Sequence, residues 1–445
     1  MRRVDTCDAT RDKVAFRDET TMSLPTREID KMRRVVVTGV GGICAVGNNA
    51  AQIWEAISTG RSGIGAITRF DAEGFETRFA GEVKEFDPAA TIGRKESRRM
   101  DRYTQLSVTA AREAVAQSGL DIPSEATRVG VLVGTGMGGM ETFEAGVEML
   151  LTSGPRRISP FFVPMMLPNM ASGTVSIDLG AKGPNFGTVS ACASSAHAIG
   201  EATLMIRNDI ADAMVAGGGE AAVTRMGISG FNAMGALSTR NDDPGAASRP
   251  FDRDRDGFVL AEGAAVLILE EREHAIARGA TILAEVVGYG ATDDANHMVQ
   301  PAPGGEGAAR AMSIALDDAG LAQTGIDYIN AHGTSTQLNE KLETMAVQRV
   351  FGERAGNVPI SSTKSMTGHL LGAAGSLEAL ITIAAMHAKL LPPTINQHTQ
   401  DPECPLDTIP NVARGAEIRY AMTNSMGFGG HNVSLILARA DQRPS

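Results

Sequence analysis

Short apolar runs alternate with helix-length segments along most of the chain. The first run, residues 33–39, ends in glycine, and comparable runs lie at residues 129–134, 212–216 and 264–269. Apolar runs bounded by turn residues are typical of buried strands, and helical segments between them favour an α/β fold with mainly parallel sheets. The second half of the chain repeats this alternation, although one sequence does not prove a duplication.

This alternation divides the chain into four segments. Residues 1–32 carry basic and acidic side chains in equal number without an apolar run, so they are neither a secretory signal nor a transit peptide. We interpret them as a disordered extension or the result of an early start codon. Residues 33–285 and 286–440 form the two halves of the folded region, and residues 441–445 form a tail.

Composition narrows the classes of function. The formal net charge of −11 argues against a dedicated nucleic-acid binder. The four cysteines, Cys7, Cys44, Cys192 and Cys404, are widely separated and include no Cys-x-x-Cys pair, so neither a thiolate metal cluster nor a disulfide framework is expected. The longest uncharged apolar stretch, residues 158–177, is interrupted by prolines and is a poor membrane span. We therefore expect a cytoplasmic protein that does not cross a membrane.

Cys192 is the first candidate for catalysis. It lies where a predicted strand meets a predicted helix, between small residues that leave room for a substrate. A helix N-terminus offers free N–H groups and a positive dipole end, both of which favour a thiolate. The alternative is a buried cysteine that packs as a small apolar residue.

Two histidines follow at predicted strand ends, where α/β proteins bind their ligands. They are His332 in Asn-Ala-His-Gly-Thr-Ser-Thr and His369 in Met-Thr-Gly-His. Each alone could be a structural histidine, and a zinc site with Cys192 has suitable ligand types but no local ligand pair. The glycines at residues 134–139 only partly match a dinucleotide fingerprint, and close backbone packing explains them better.

Four segments together resemble one enzyme family. They are ACASSAHAIG at residues 191–200, HGTST at 332–336, SSTKSMTGHLLGAAG at 361–375 and GFGGHN at 427–432. In order and spacing they are similar to β-ketoacyl-acyl carrier protein synthases of the elongating type, and most of all to the synthase II group. The resemblance covers the two predicted halves. It implies a thiolase fold, with a five-layered α-β-α-β-α core made of two similar halves, and a homodimer.

The resemblance also implies a reaction. The enzyme would be an acyltransferase that condenses malonyl-acyl carrier protein with an acyl chain held on Cys192, releasing CO₂ and elongating a fatty acid by two carbons. His332 and His369 would donate N–H groups to the enolate oxygen, as a histidine-built oxyanion hole. Lys364 would set the electrostatics of this pair, and Glu378 would be the buried acid near it. No cofactor is required beyond the phosphopantetheine of the acyl carrier protein, and no membrane or nucleic acid takes part.

Further residues receive roles from the same resemblance. Backbone N–H groups of Cys192 and Phe428 would bind the oxygen of the acyl thioester. Gly427, Phe428 and Gly429 would form a hinged gate opposite a second loop that begins at His297. The remaining assignments are an acyl tunnel restricted by Met137, for which core packing is the alternative, pantetheine contacts at Thr334 and Thr336, and a monovalent-cation site, not required for the reaction, near Asn330, Glu378 and Asn424.

A local basic cluster stands out against the acidic total, at the start of residues 93–118, over which the sequence predicts one helix. The resemblance places it at the surface where the acidic carrier protein docks, the alternative being a solvated helix face. Its members are Arg94, Lys95, Arg98 and Arg99, with Arg156 and Arg157 in a later loop.

Three alternatives are related to the predicted enzyme. A ketosynthase of an iterative polyketide or specialised lipid pathway would share these site residues, and gene neighbours would distinguish it. A non-catalytic chain-length partner subunit lacks the cysteine that stands here at position 192. Initiating synthases carry asparagine where this chain has His369. The departures from the family pattern, which leave acyl specificity open, are Glu340 for aspartate, Met426 for phenylalanine and His431 for threonine.

Overall fold

The structure, a computed structural model, describes residues 32–440. The predicted extension, except for Met32, and the predicted tail lie outside these residues. The main element is a ten-stranded sheet. Its strands are β1 (Val35–Cys44), β2 (Val129–Gly134), β3 (Asn185–Phe186), β4 (Ala213–Glu220), β5 (Gly263–Glu271), β6 (Ala284–Asp293), β7 (Tyr328–Asn330), β8 (Ile360–Ser361), β9 (Tyr420–Gly427) and β10 (His431–Arg439).

Helices cover both faces of this sheet. Two short ribbons, Gly65–Ala66 with Phe79–Ala80 and Leu390–Leu391 with Arg414–Gly415, lie outside it. The helices are α1 (Ala50–Ser58), α2 (Pro88–Thr91), α3 (Arg94–Ser97), α4 (Arg102–Ser118), α5 (Met140–Ser153), α6 (Phe162–Met166), α7 (Met170–Leu179), α8 (Ser194–Arg207), α9 (Arg225–Ala233), α10 (Arg272–Ala277), α11 (Glu306–Ala319), α12 (Gln337–Phe351), α13 (Lys364–Thr367) and α14 (Ala374–Ala388).

The sheet consists of two halves with the same topology. From the centre outward, the first half has the order β1-β5-β4-β2-β3 and the second half β6-β10-β9-β7-β8. Each half therefore places its first strand at the centre, followed by its fifth, fourth, second and third. The halves meet where β1 pairs with β6 through Val36–Glu285 and Val37–Ala284. This shared order is the evidence for two similar halves that the sequence alone did not supply.

The helices and half-sheets form five layers. Helices α8 and α14 pack on each other and on strands of both halves, so they form the middle layer. Helices α4 and α7 cover the outer face of the first half, and α11 and α12 cover that of the second. The five-layered arrangement predicted from the family resemblance is confirmed, and it directs the N-termini of α8 and α14 toward one central region.

The prediction of mainly parallel sheets is wrong, because the sheet is mixed. Strand β10 follows β9 through a glycine-rich turn and therefore pairs with it antiparallel. Strand β5 is likewise antiparallel to β1 and β4. The single helix predicted over residues 93–118 is also interrupted, because Asp101 caps α4 by accepting a hydrogen bond from the Tyr103 N–H at 3.2 Å.

One helical stretch of the described region, Leu371–Ala388, is long and apolar enough to span a membrane by length and composition. Inside the fold, 83% of it is buried. It contains α14 of the middle layer, so its apolar character is that of a core helix.

Candidate active site

A strained turn holds Cys192 at the start of the middle layer. The turn Ala191–Ala193 precedes α8, and Ala191 has a φ of +49°, which non-glycine residues rarely adopt. The Ser190 N–H donates to the Ser194 hydroxyl at 2.9 Å, and that hydroxyl donates to the Ala191 carbonyl at 2.7 Å. These hydrogen bonds stabilise the strained turn. Cys192 lines a cavity of about 790 Å³.

The two predicted histidines meet at this thiol. Nε2 of His369 lies 3.0 Å from Sγ of Cys192. The rings of His369 and His332 are nearly perpendicular, with centroids 5.4 Å apart, and both residues line the same cavity. The ring of Phe258 packs edge-on against that of His369, also with centroids 5.4 Å apart. Three residues that are distant in sequence therefore form one site.

Lys364 lies beneath this pair and is buried. Its ammonium group donates to the backbone carbonyl of His332 at 2.6 Å and forms an ion pair with Glu378. Burial and the charge of Lys364 lower the pKa of His332 and of His369 well below the usual value. Both imidazoles are therefore neutral near pH 7. Burial also raises the pKa of Glu378 to about 7, against the opposing charge of Lys364.

The resting state of Cys192 differs from the sequence expectation of a thiolate. Burial raises the pKa of the Cys192 thiol to about 12, and the charge of Lys364 only partly offsets this. Helix α8 starts at Ser194, so the dipole end does not lie directly at Cys192. A buried thiol needs a nearby proton acceptor before it attacks a thioester, and Nε2 of His369 is within hydrogen-bonding distance.

Two loops meet over the cavity. Gly427 and Phe428 line it, and Gly429 follows with a φ of +91°. The Gly429 N–H donates to the Met298 carbonyl at 2.9 Å, which joins the glycine segment to the loop that begins at His297. The two loops predicted as gates are thus in direct contact, and their role in gating stays a prediction.

Three further predicted residues line the cavity, whereas the predicted cation site has only two free oxygens among the described residues. Thr334 and Thr336 line the cavity with their hydroxyl oxygens 3.1 Å apart, and Met137 lines it near Cys192. At the predicted cation site, Oδ1 of Asn330 and Oε2 of Glu378 are buried without a hydrogen-bond partner in residues 32–440. The side-chain oxygen of the third predicted member, Asn424, accepts a hydrogen bond from Ser434 instead, so only two of the three residues offer a free oxygen.

Metal binding gains no support elsewhere. No group of three or more histidine, cysteine, aspartate or glutamate side chains suited to a metal ion occurs in the part of the chain that the structure describes. Cys192, His332 and His369 therefore do not form such a group.

The predicted docking residues are all exposed, and the two clusters meet. Arg98 and Arg157 line one cleft of about 650 Å³, although they come from separate segments. Arg99 lies over the ring of Phe161, with its guanidinium carbon 4.9 Å from the ring centre. Arg102, which continues the cluster in sequence, is not available because it forms an ion pair with buried Glu262 at 2.7 Å.

Three residues at the site were not predicted from the sequence. Phe258 packs on His369, and both carboxylate oxygens of Glu343 accept backbone N–H groups, from His332 at 2.8 Å and from Gly333 at 2.9 Å. The third is Glu220, a buried carboxylate beside Met137. In sequence, both glutamates resemble ordinary acidic residues, and no local signal identifies them.

Comparisons with known proteins bear on the whole described chain. The family model "Beta-ketoacyl synthase, N-terminal domain" matches residues 32–275, and "Beta-ketoacyl synthase, C-terminal domain" matches residues 283–398. The 3-oxoacyl-[acyl-carrier-protein] synthase 2 of Staphylococcus aureus (strain COL) is 52% identical over 408 residues, which cover 92% of this chain and 98% of the relative.

Two solved structures are similar throughout. A β-ketoacyl synthase from Burkholderia phymatum has a TM-score of 0.86 and 41% identity, covering 92% of this chain and 100% of that one. A type II polyketide synthase acyl-carrier protein in complex with its ketosynthase has a TM-score of 0.84 and 35% identity, with coverage of 92% and 100%. The fold predicted from the four segments is confirmed.

Proposed function

The chain belongs to the β-ketoacyl synthase family, and we propose that it is an elongating 3-oxoacyl-acyl carrier protein synthase of fatty acid synthesis. It joins malonyl-acyl carrier protein to an acyl chain held on Cys192. The observation that carries this function is the 3.0 Å contact between Sγ of Cys192 and Nε2 of His369, beside His332 in one cavity. Phosphopantetheine arrives with the carrier protein, and we expect neither a protein-bound cofactor nor a location outside the cytoplasm.

The first half-reaction transfers the acyl group. Sγ of Cys192 attacks the carbonyl carbon of the acyl-carrier thioester while its proton moves to Nε2 of His369. The carrier sulfur leaves and takes that proton, which the low pKa of His369 favours. Backbone N–H groups of Cys192 and Phe428 stabilise the oxyanion. One thioester is exchanged for another, and the thiol proton of Cys192 ends on the carrier sulfur.

The second half-reaction forms the carbon–carbon bond. The malonyl group loses CO₂, and negative charge builds up on its thioester oxygen. His332 and His369 are neutral, and their Nδ1 atoms have no hydrogen-bond partner in residues 32–440 that would hold the ring proton there. Donation to the enolate oxygen requires the Nε2–H tautomer of both rings, so His369, whose Nε2 accepts the thiol proton in the first half-reaction, shifts its ring proton from Nδ1 to Nε2 between the two steps. These donors stabilise the enolate, whose carbon attacks the acyl thioester. The expelled Cys192 thiolate takes one proton from solvent.

An assay with purified components tests this function. With acyl- and malonyl-acyl carrier protein supplied, we expect a 3-oxoacyl carrier product two carbons longer than the starting acyl chain and one CO₂ per turnover. Rates measured with acyl chains from short to about sixteen carbons also determine the acyl specificity. An apolar cavity wall discriminates only weakly between chains that differ by one methylene. Absence of condensation with every saturated chain would contradict the proposal.

A polyketide ketosynthase is the second candidate, since the ketosynthase of a type II polyketide synthase shares the fold. Identity is 35% for that chain and 52% for the curated 3-oxoacyl-[acyl-carrier-protein] synthase 2, which favours fatty acid elongation. Turnover of a poly-β-keto chain in preference to saturated chains would support the polyketide alternative. A non-catalytic partner subunit is disfavoured because Cys192 is present and contacts His369.

Carrier docking is expected at the basic cleft. Reversing Arg98 and Arg99 to glutamate should raise the KM for acyl carrier protein by about tenfold, because opposite charges steer and hold the acidic carrier. Turnover of a small pantetheine thioester should not change. Arg349→Glu, an exposed reversal on α12, is the matched control. Equal losses with carrier and with the small thioester would exclude docking at this surface.

A homodimer is expected from an exposed apolar face. Helices α5, α6 and α7 and edge strand β3 are neighbours, and they expose Leu151, Val163 and Ile177 at 79%, 54% and 79%. An apolar surface of this kind, continuous with a free sheet edge, is typical of an interface between two copies of a chain.

Sedimentation analysis checks this interface. We expect the wild type at twice the chain mass and Leu151→Glu/Ile177→Glu at the monomer mass. Ile210→Glu, which alters an exposed apolar side chain before β4, should leave the dimer intact. A monomeric wild type would contradict the proposal.

A further inference from the structure

Glu220 is a buried carboxylate beside the site for which the reaction gives no role. It ends β4, and its side chain is fully buried. One oxygen, Oε2, accepts hydrogen bonds from the N–H of Gly136 at 2.6 Å and of Gly372 at 3.0 Å. The other, Oε1, accepts from the Thr135 hydroxyl at 3.0 Å and the Met137 N–H at 3.2 Å.

These four donors belong to two segments that line the site from different halves of the chain. Thr135, Gly136 and Met137 follow β2, and Met137 forms part of the acyl cavity wall. Gly372 lies in the turn that follows His369, the residue in contact with Cys192. The carboxylate of Glu220 is therefore the shared hydrogen-bond acceptor of the cavity wall and of the segment that carries the histidine.

The four donors at this junction favour a carboxylate. All four partners donate, so a carboxylate can satisfy them, whereas a carboxamide of the same shape would turn an NH₂ group toward N–H donors. The space is also closed: a Cβ on Gly372 would lie 2.2 Å from the Gly136 nitrogen, and a Cβ on Gly136 would lie 2.8 Å from Oε2 of Glu220. Neither segment can move closer to replace the bonds that the carboxylate makes.

Keeping this carboxylate buried is costly. Burial raises the pKa of Glu220 to about 7, against the four hydrogen bonds that lower it. Its negative charge also adds to the burial that raises the pKa of Cys192. Leu371, within the tethered turn, has a φ of +45°, so the turn is strained as well. A costly group that disfavours the thiolate and holds a strained turn is better explained by positioning than by stability.

We propose that Glu220 is a positioning and specificity-determining residue that fixes the Met137 wall of the acyl cavity to the turn behind His369. The limit on acyl length and the alignment of the Cys192–His369 pair are thereby set by one group. This inference rests on the proposed function, because it assigns an acyl chain to the cavity beside Met137. An acyl chain that displaces Met137 therefore also displaces, through Glu220, the segment that positions His369.

Steady-state kinetics of Glu220→Gln test the positioning role. We expect kcat for condensation to fall by about tenfold or more, while the KM for acyl carrier protein stays within about threefold, because misplacement affects the reacting atoms and not docking. Glu113→Gln is the matched control, since Glu113 also binds two backbone N–H groups, of Gly42 and Ala50 at 2.9 Å, but does not line the cavity. Equal effects of the two variants would overturn the proposal.

A second measurement is independent of condensation. Cys192 is alkylated with iodoacetamide and with its N-decyl derivative, and the ratio of the two rates cancels any change in thiol reactivity. If Glu220→Gln no longer holds Met137 in place, the cavity should admit the decyl chain more easily. We therefore expect the ratio of the N-decyl rate to the iodoacetamide rate to rise by about fivefold. Thr135→Val removes one of the four hydrogen bonds to Glu220 and should also raise the ratio, by a smaller factor. This variant provides the test if Glu220→Gln does not fold. A ratio that is unchanged or lower would overturn the proposal, whether or not the wild type condenses carrier substrates.

Discussion

Replacing Cys192 by serine is expected to lower condensation by about 10³-fold or more. A serine hydroxyl ionises far less readily than a thiol, and His369, whose pKa is well below its usual value, is too weak a base to compensate. The side chain keeps its approximate size inside the strained turn, so the fold should be retained. The rate of 3-oxoacyl carrier formation measures the effect.

Cys44→Ser is the matched control for this prediction. Cys44 is also buried, in β1, and burial raises the pKa of its thiol to about 12, as for Cys192. It does not line the cavity. We expect condensation by this variant to stay close to wild type. A Cys192→Ser protein that condenses at a tenth of the wild-type rate or better would contradict the role of the Cys192 thiol as the nucleophile.

Loss of either imidazole is expected to lower decarboxylation of malonyl-acyl carrier protein by about 10²- to 10³-fold, because each removes one donor to the enolate oxygen. The measurement is cleanest in a Cys192→Gln background, where the carboxamide imitates the acylated cysteine and condensation cannot follow. His332→Ala and His369→Ala are compared there by CO₂ release. His387→Ala, at the exposed end of α14, should leave the rate unchanged.

The two histidine variants should also differ in which half-reaction they impair. His369→Ala should impair acyl transfer as well as decarboxylation, since Nε2 of His369 is the group at 3.0 Å from Sγ of Cys192. His332→Ala should act mainly on decarboxylation. Retention of decarboxylation by His369→Ala would contradict a shared oxyanion role.

Those parts of the fold that depend on local sequence patterns could be predicted from the sequence. Apolar runs located most central strands, including β2 and β5, and the four motif segments implied the five layers. Strand direction was missed because it depends on connections: the Gly427–His431 turn makes β9 and β10 antiparallel. The end of the helix before α4 was missed because Asp101 acts as a cap only once its side chain reaches Tyr103.

The site shows the same limit. Cys192, His332, His369 and Lys364 stand in recognisable local segments, and the structure brings them together. Their roles stay predictions until they are tested. The raised pKa of Cys192 was not predictable, because it results from burial by segments distant in sequence, which outweighs the charge of Lys364.

Residues that act by joining segments were not found from sequence. Glu220 binds donors from residues 135–137 and from Gly372, and Glu343 binds the backbone at His332. These contacts exist only when the two halves are folded together. Local pattern therefore identifies reacting groups better than the residues that hold them in place.

Intact-protein mass spectrometry after incubation with acyl-acyl carrier protein alone tests the covalent mechanism most directly. We expect the mass of the wild-type chain to rise by one acyl group, which peptide mapping places on Cys192 and which malonyl-acyl carrier protein then discharges. Cys192→Ser should acquire no thioester. Acylation at another residue, or product formation by a chain that never becomes acylated, would contradict the assignment of Cys192 as the nucleophile.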